Sequence, residues 1–227
     1  MAHATEQDRQ IDLLTDLLSG QRSKQPFDQS RLQAKSLLGY DGTAYDYGQI
    51  MDQQQADQYF LQLQNGIDWQ PDQLWMMGKL IHTRRLVAWY GSQPFQYGYS
   101  RTEKTALLWT DCLLQLKQLV EQHTQSPYNS CLLNFYDSGE VGMGWHTDKE
   151  KQLVQHGSIA SLSFGATRRF AFRHLHTAEQ VKIELLHGSL LEMKDQTQDY
   201  WQHALLKSSK IKSARINLTF RQIREDT

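Results

Sequence analysis

The segment CLLNFYDSGEVGMGWHTDKE, from Cys131 to Glu150, combines a short apolar run, a glycine-rich turn and two metal-binding residue types. His146 and Asp148 are two residues apart, and in an extended segment such residues point to the same side. An imidazole and a carboxylate on one side can supply two of the three ligands of a 2-His-1-carboxylate iron site. The same spacing also arises by chance, so this segment alone leaves a purely structural role open.

Short apolar runs separated by turn residues continue from this segment to the end of the chain. They read SCLLNFY, SIASLSF, RRFAFR, QVKIELL, GSLLEM and RINLTF. Runs of this kind are typical of an antiparallel sandwich or jelly roll. We therefore expect an α+β protein with a mainly β core, backed by N-terminal helices.

Two amphipathic helices are predicted before the β-rich part. Apolar residues at helical spacing predict the first between Asp52 and Asn65, with Asp52 as its N-cap and a glycine at its end. The same period predicts the second from Thr102 to about His123. Between them, the aromatic-rich segment 68–100 is punctuated by proline and glycine, which predicts strands and turns.

The chain has 227 residues, enough for one large domain, and no low-complexity linker divides it. We expect a polar extension over residues 1–49 with one short helix, followed by a single domain over 50–227. Two cysteines provide neither a disulfide framework nor a zinc-binding spacing.

The formal net charge of -1 neither supports nor excludes a polyanionic partner. The chain has no segment with the apolar core of a signal peptide and no apolar run of membrane-spanning length. We therefore expect a cytoplasmic protein.

The segment RINLTFR, Arg215 to Arg221, places polar side chains at alternate positions. A period of two puts the apolar residues on one face and the polar residues on the other, namely Arg215, Asn217, Thr219 and Arg221. The polar face can lie in solvent, as in many half-buried strands. It also suits a small dicarboxylate, such as a 2-oxo acid with a distal carboxylate, because guanidinium groups pair with carboxylates through parallel hydrogen bonds.

His203 follows a strand-like aromatic segment and is a candidate for the second imidazole of the iron site. Spacing does not select it over four other histidines, which are His156, His174, His176 and His187.

Several motifs in the correct order resemble the AlkB family of iron(II) and 2-oxoglutarate dependent dioxygenases. They include SLSFGATRRFAFRH and HGSLLEM besides the residues above, and the likeness extends from about Trp75 to Ile223. It is especially close to members that repair alkylated nucleic-acid bases. The resemblance implies a double-stranded β-helix, or jelly roll, with a catalytic core over about 128–223 and a nucleotide-recognition region over about 69–101.

The resemblance also implies the residues of the site. It makes His146, Asp148 and His203 the catalytic iron ligands. It assigns the binding of 2-oxoglutarate to Asn134, Tyr136, Arg215, Asn217 and Arg221, with Arg215 on the distal carboxylate. Three protein ligands leave open iron positions for 2-oxoglutarate and dioxygen, the implied cosubstrates.

The implied reaction is oxidative demethylation of N-alkylated bases, such as N1-methyladenine and N3-methylcytosine, in the course of DNA repair. RNA is a further candidate substrate. The reaction is coupled to decarboxylation of 2-oxoglutarate to succinate and releases formaldehyde. We expect a monomer that binds alkylated DNA and no membrane. A related dioxygenase acting on a protein or small molecule, or a non-catalytic jelly-roll binding module, are the alternatives.

A positively charged base gives a carboxylate near the iron an electrostatic use. Glu150 matches an acidic position of the base-repair members of the family. The alternative is a solvated carboxylate between Lys149 and Lys151.

Aromatic and apolar residues of the segment 69–101 are candidates for contacts with the base. Tyr97 and Tyr99 can stack on a flipped base, and Trp75, Met76 and Met77 can wedge into the base stack. Ordinary core packing explains both sets equally well.

Basic residues are candidates for phosphate contacts, although such charges commonly face solvent. They are Arg84, Arg85, Arg101, Arg168, Arg169, Arg173, Lys207, Lys210 and Lys212, of which Arg85 is the candidate assigned to the substrate.

Overall fold

The computed structural model describes residues 36–76, 79–99 and 102–224, with their side chains outside 73–82 and 97–104. The helices are α1 (Gln53–Gly66), α2 (Asp111–Thr124) and α3 (Thr197–Tyr200). The strands are β1 (Thr43–Gln49), β2 (Gln70–Met76), β3 (Lys79–Gly91), β4 (Gln96–Tyr99), β5 (Thr102–Thr105), β6 (Leu107–Leu108), β7 (Ser130–Tyr136), β8 (Met143–His146), β9 (Ile159–Gly165), β10 (Arg168–His174), β11 (Gln180–Leu185), β12 (Ser189–Lys194), β13 (Trp201–Leu205) and β14 (Arg215–Arg221). Among these described helices, none is both long enough and apolar enough to cross a membrane.

α1 begins where the sequence predicts it. The Asp52 carboxylate accepts the backbone N–H of Gln55 at 2.8 Å and so satisfies one of the free donors of the first turn. Ala56 and Leu63 on its buried face pack into the core against the main sheet. The predicted capped, amphipathic helix is confirmed.

α2 begins later than the sequence predicts. Thr110 caps it by accepting the Leu113 N–H at 3.3 Å. The predicted start at Thr102 is wrong because the residues before the cap form strands. Thr102–Thr105 pair with β4 as a hairpin, and Leu107 and Leu108 pair with β3.

The main sheet carries its strands in the order β1-β12-β9-β14-β7-β3-β2, with β6 beside β3. β14 lies between β9 and β7, and its register aligns Arg215 with Tyr136 and Asn217 with Asn134. The six short apolar runs of the sequence all lie in strands, which confirms the expected β core.

A second sheet has the order β11-β10-β13-β8. β13 pairs antiparallel with β8, and the register places His203 opposite His146. The two sheets face each other across a buried apolar cluster that includes Met193 from β12, Phe172 from β10 and Trp201 from β13. Two facing antiparallel sheets are the jelly-roll architecture that the sequence predicts.

The two faces of β14 have different surroundings. Ile216, Leu218 and Phe220 are fully buried in the core that also contains residues of α1 and α2, and each such burial stabilises the fold by roughly 1.5–3 kcal/mol. Arg215 and Asn217 lie on the opposite face and are only 2% and 8% exposed. The polar face is therefore interior. This excludes both the solvent-facing alternative and a binding module that depends on it.

β1 belongs to the main sheet, although the sequence assigns its residues to an extension. Thr43–Gln49 pairs with β12, and Ala44 is fully buried opposite Met193. The predicted boundary at residue 49 is therefore too late. The strand escapes prediction because it lies at the sheet edge, where Ala44 alone of TAYDYGQ is fully buried and no apolar run marks it. The predicted short helix before it lies outside the described residues.

Candidate active site

His146, Asp148 and His203 form a cluster at the second sheet. His146 ends β8, Asp148 follows it, and His203 lies opposite on β13. One ligand atom of each lies within 4.8 Å of the others. Nε2 of His146 is 3.8 Å from Oδ1 of Asp148, and Nε2 of His203 is 3.9 Å from Oδ2. These distances exceed those of hydrogen bonds, so neither imidazole is bonded to the carboxylate and both Nε2 atoms are available to an ion that Asp148 shares.

Neighbouring groups orient both imidazoles. Nδ1 of His146 lies 2.7 Å from the Gly144 carbonyl oxygen, so the hydrogen is assigned to Nδ1 and Nε2 is left as a ligand. The ring of His203 stacks on Phe170, with centroids 5.6 Å apart and planes 23° from parallel. Strand register and ring packing thus point both Nε2 atoms at Asp148.

Burial and charge set the protonation of the cluster. Desolvation lowers the pKa of His203 to about 4, so its imidazole is neutral at pH 7. Burial alone would raise the pKa of Asp148, but Arg221 and the two imidazoles outweigh it and lower that pKa. Metal ligands must be deprotonated. The donor set therefore fits a 2-His-1-carboxylate Fe(II) centre.

The rival histidines make other contacts. His174 is buried and accepts two backbone N–H groups at Nδ1. His156 pairs with Asp199, and His187 pairs with Asp57. Within the described residues, the ligand cluster contains none of the four rivals.

Arg215 is a buried cation with unused bonding capacity. Its Nη2 donates to Ser163 Oγ at 2.8 Å and to Asn217 Oδ1 at 2.6 Å, whereas its Nε has no hydrogen-bond partner among the described groups. Burial lowers its pKa to about 10. No carboxylate in the described part of the chain lies within ion-pair distance of this guanidinium. A buried cation of this kind is a site for an anion.

Polar residues of three adjacent strands surround Arg215. Tyr136 of β7 lies beside it, with the guanidinium carbon 5.6 Å from the ring centroid. Asn134 is 7% exposed and lies opposite Asn217. Asn217 Nδ2 donates to Thr219 Oγ1 at 2.9 Å. Four of the five predicted cosubstrate residues therefore occupy one interior patch of the main sheet.

Arg221, the fifth, joins this patch to the metal-ligand cluster. Its Nη2 is 3.0 Å from Oδ2 of Asp148, and its Nη1 is 3.3 Å from Oε1 of Glu150. The other carboxylate oxygen of Glu150 is buried and has no hydrogen-bond partner in the described structure. Glu150 is thus a half-buried carboxylate that pairs with Arg221, unlike the solvated side chain of the alternative interpretation.

Arg85 is buried as well. It forms an ion pair with Asp72 and donates to the Met143 sulfur at 2.6 Å. Burial opposes its charge, but Tyr136 and Asp72 raise its pKa. Arg85 therefore approaches the cosubstrate patch from the β3 side, and its predicted contact with substrate stays a prediction.

Arg168 holds the glycine-rich turn between β7 and β8. Its guanidinium donates to four backbone carbonyls, those of Ser138, Gly139, Val141 and Leu206. A Cβ atom at Gly139 would lie 2.3 Å from a carbonyl oxygen, so the turn requires glycine there. The prediction that Arg168 contacts phosphate is wrong, because this side chain is 1% exposed and bound to backbone.

The residues predicted to touch a flipped base lie largely beyond the described side chains. Met77 lies outside the described residues, and so do the side chains of Trp75, Met76, Tyr97 and Tyr99. The backbones of these four belong to β2 and β4. Their roles stay predictions.

A cavity of about 260 Å³ is lined by Asp148 of the metal-ligand cluster, but by neither histidine ligand nor Arg215. Asp148, Glu150 and Arg221 line it, and the loop 149–158 forms one wall. Basic side chains also line it, namely Lys149, Lys151 and Arg224. The lining therefore places three cationic side chains near the ligand carboxylate, of which Lys149 pairs with Asp199.

Two serines of the site escape prediction from the sequence. Ser161 Oγ donates to Asn217 Oδ1 at 2.8 Å, and Ser163 accepts from Arg215. Their signal is the alternation of serine with apolar residues in SIASLSF, which places both on one face of β9. The role of this face in holding Arg215 and Asn217 is apparent only when β9 is known to pair with β14.

Comparison with known proteins identifies a matching family. The sequence model of one protein family, the 2OG-Fe(II) oxygenase superfamily, matches residues 43–221 of the chain. This range begins at β1 and ends at Arg221, so it contains every residue of the metal-ligand cluster and the cosubstrate patch.

Curated proteins and a solved structure are also similar to the chain. Alpha-ketoglutarate-dependent dioxygenase alkB homolog 3 of Bos taurus is 37% identical over 186 residues, covering 78% of this chain and 65% of that protein. DNA oxidative demethylase ALKBH2 of Mus musculus is 33% identical over 197 residues, covering 82% of each. The solved structure of OsALKBH1 has a TM-score of 0.57 at 17% identity, over 82% of this chain and 98% of that one, which supports the fold. The chain spans between 51% and 66% of the length of the alkB homolog 3 proteins that it matches.

Proposed function

Because the chain belongs to the AlkB family within the 2OG-Fe(II) oxygenase superfamily, we propose that it is an iron(II) and 2-oxoglutarate dependent dioxygenase that demethylates N-alkylated nucleic-acid bases. Its substrates are bases such as N1-methyladenine and N3-methylcytosine in DNA, with RNA as a further candidate. One observation carries the proposal. The buried Arg215, which no described carboxylate pairs with, shares its strand face with Arg221, which contacts the ligand Asp148.

Two sets of interior residues would bind the metal and the cosubstrate. His146, Asp148 and His203 would hold Fe(II), and Arg215 would bind the distal carboxylate of 2-oxoglutarate through its free donors. Fe(II), when bound, would activate dioxygen as the oxidant, with one oxygen atom going to succinate as 2-oxoglutarate is decarboxylated and the other to the methyl group. The hydroxylated group then leaves as formaldehyde. Asn217 holds Arg215 in position through the 2.6 Å hydrogen bond.

Glu150 gives the site a preference for a cationic base. Its Oε2 is buried without a hydrogen-bond partner in the described structure, so it can accept from a positively charged base that enters the cavity. In the lesion, N1-methyladenine and N3-methylcytosine both carry a positive charge. A carboxylate in a half-buried site distinguishes such a base from an uncharged one more strongly than it would in water.

Cationic side chains of the cavity lining suit the phosphates of a nucleic acid. Lys149, Lys151 and Arg224 line the cavity beside Glu150, so phosphate attraction and base recognition can act on neighbouring groups of one substrate. The target base must leave the stack to reach the metal, and Tyr97 and Tyr99 are the proposed stacking partners. We take the active species to be a monomer, which sedimentation equilibrium checks.

The direct test measures formaldehyde release from oligonucleotides that carry a single N1-methyladenine or N3-methylcytosine. We expect release that requires both Fe(II) and 2-oxoglutarate, with single- and double-stranded DNA and RNA compared in parallel. Asp148→Ala is the control and should abolish release. A wild-type protein that converts 2-oxoglutarate to succinate but leaves every methylated oligonucleotide intact would exclude the substrate and preserve the chemistry.

A further inference from the structure

The backbone of the metal ligand Asp148 is held by a side chain outside the ligand set. Oε1 of Gln198 accepts the Asp148 N–H at 2.9 Å. Only the oxygen end of an amide can accept this hydrogen. The nitrogen end lies 3.7 Å from the sulfur of Met193, which is 2% exposed and part of the core between the sheets. These two contacts fix which way the amide points.

The short helix α3 that carries Gln198 is itself fixed to the main sheet. Thr197, the preceding residue, is fully buried, and its Oγ1 accepts the Thr43 N–H at 2.8 Å. The same hydroxyl lies 2.9 Å from the Thr43 carbonyl and 2.6 Å from that of Lys194. Gly42 leaves the space for this contact, since a Cβ there would lie 2.7 Å from Thr197. Gln198 therefore projects from a helix that is hydrogen-bonded to β1 at the preceding residue.

Asp199, the next residue, contacts the loop 149–158 through two of its side chains. Its carboxylate oxygens lie 3.1 Å from Lys149 Nζ and 2.7 Å from His156 Nε2. Lys149 directly follows the metal ligand, and His156 lies near the other end of the loop 149–158. Two consecutive residues of α3 thus hold the segment that contains Asp148, Glu150 and one wall of the cavity.

We propose that Gln198 is a positioning residue for the metal site, acting through the backbone of Asp148. The inference rests on the proposed function only in requiring that His146, Asp148 and His203 bind a metal. α3 leads directly into β13, which carries His203. The segment 197–203 therefore supplies one ligand and orients another, so the carboxylate is held at the imidazoles before the metal binds. Loss of a group that orients a ligand typically weakens metal binding by about 10- to 100-fold.

The test measures metal affinity and coordination in the complete chain without nucleic acid. Mn(II) is titrated and the free-ion electron paramagnetic resonance signal gives Kd, while Co(II) loaded into the same proteins gives a visible absorption band that reports coordination. Gln198→Met removes the acceptor at nearly the same length. Gln198→Glu keeps an acceptor. Gln196→Met is the matched control, because Gln196 is exposed and makes no side-chain cap to α3.

We expect Gln198→Met to weaken Mn(II) binding by at least about tenfold and to alter the Co(II) band. Gln198→Glu and Gln196→Met should bind within about threefold of wild type or, for the added carboxylate, more tightly. If Gln198→Met does not fold, Gln198→Asn decides, since its amide is one methylene too short to reach Asp148. Binding by Gln198→Met or Gln198→Asn within twofold of wild type, or equal weakening by Gln196→Met, would overturn the inference.

His146→Ala separates this inference from the proposed function. It should weaken Mn(II) binding far more than Gln198→Met does. If His146→Ala binds like wild type, the metal site itself is misassigned and the proposed function fails. If His146→Ala binds weakly while Gln198→Met binds normally, the metal site stands and only the role of Gln198 is wrong.

Discussion

Replacing Arg215 with methionine should greatly weaken cosubstrate affinity without lowering the stability of the fold. The side chain is buried, its Nε has no described hydrogen-bond partner, and no described carboxylate neutralises it. In the protein without 2-oxoglutarate it is therefore a buried charge with little compensation. When 2-oxoglutarate is added, the same charge becomes the partner of its distal carboxylate.

The expected change in stability follows from the pKa of Arg215. Burial lowers this pKa to about 10, and each pKa unit corresponds to about 1.4 kcal/mol, so the cation costs the folded state roughly 3 kcal/mol at pH 7. Because the folded-state pKa is depressed, this cost applies at all pH values below it. Methionine removes the cost but leaves Ser163 and Asn217 without their donor, at about 1 kcal/mol each. The free energy of unfolding should therefore stay the same or rise by about 1 kcal/mol.

The expected loss of affinity is much larger. Truncating one partner of a buried, hydrogen-bonded charge pair costs about 2–5 kcal/mol, which weakens 2-oxoglutarate binding by roughly 30-fold to several thousand-fold. Anaerobic titration of the Fe(II) protein, followed by charge-transfer absorption, gives the Kd, and urea unfolding without cosubstrate gives the stability. Arg215→Lys keeps the charge but loses the planar fork, so its affinity should be intermediate.

Arg168→Met is the contrasting control. Arg168 is equally buried and lies 5.8 Å from the same Tyr136 ring, but it donates to four backbone carbonyls. Its loss should destabilise the fold by about 3 kcal/mol or more, because those carbonyls lose their donor. A folded Arg215→Met protein that binds 2-oxoglutarate like wild type, or one destabilised as strongly as Arg168→Met, would contradict the assignment of Arg215 as an uncompensated cation that binds the cosubstrate.

Three further predictions concern the substrate, the metal and the sheet edge. Glu150→Gln should lower kcat/KM for N1-methyladenine by about tenfold, or about 1.4 kcal/mol, and for an uncharged alkylated base by less; equal losses in formaldehyde release would argue against charge recognition. Mn(II) at a hundredfold excess over its Kd should raise the free energy of unfolding of wild type by about 2.7 kcal/mol. A chelator should reverse this stabilisation, and His203→Ala should lack it. Equal stabilisation of His203→Ala would place the ion elsewhere. Ala44→Glu should destabilise the fold by about 2–4 kcal/mol in urea unfolding, because Ala44 is fully buried. Asp46→Glu at an exposed position of β1 should change it by less than about 1 kcal/mol, and a mild effect of Ala44→Glu would contradict the placement of β1.

Residues that carry a strong local pattern were predictable from the sequence. The alternation in RINLTFR separates Arg215 and Asn217 from the apolar face, and Asp52 signals the start of α1 through its own capping side chain. The start of α2 was mispredicted because Thr102–Thr105 pair with β4, and pairing between segments leaves no helical or strand period that a short window can distinguish.

Contacts between distant segments were not predictable. Ala44 lies in the edge strand β1, which has no apolar run. Thr197 of α3 accepts the backbone N–H of Thr43 in the same strand, and the two residues are 154 positions apart in the chain. Gln198 is one of many glutamines in this sequence and has no neighbour that marks it. Its contact with the Asp148 N–H depends on β1, α3 and the loop after β8 being assembled together. Local patterns therefore mark His146 and Asp148 as candidate ligands, whereas His203 is selected by the family resemblance and the role of Gln198 requires the assembled fold.

The two arginines beside Tyr136 show why the chemistry of a site requires the structure as well as the motif. Arg168 and Arg215 each begin a strand, each is buried, and each lies within 6 Å of the same ring centroid. Arg168 uses its Nη groups on the carbonyls of a turn that glycine keeps tight, so it has a structural role. Both arginines leave Nε without a described hydrogen-bond partner, but Arg215 donates through Nη2 alone, to the side chains of Ser163 and Asn217, so its other donors are left for an anion from outside the protein. Residue type and strand position are the same, and the difference in function lies in which hydrogen bonds the fold leaves unmade.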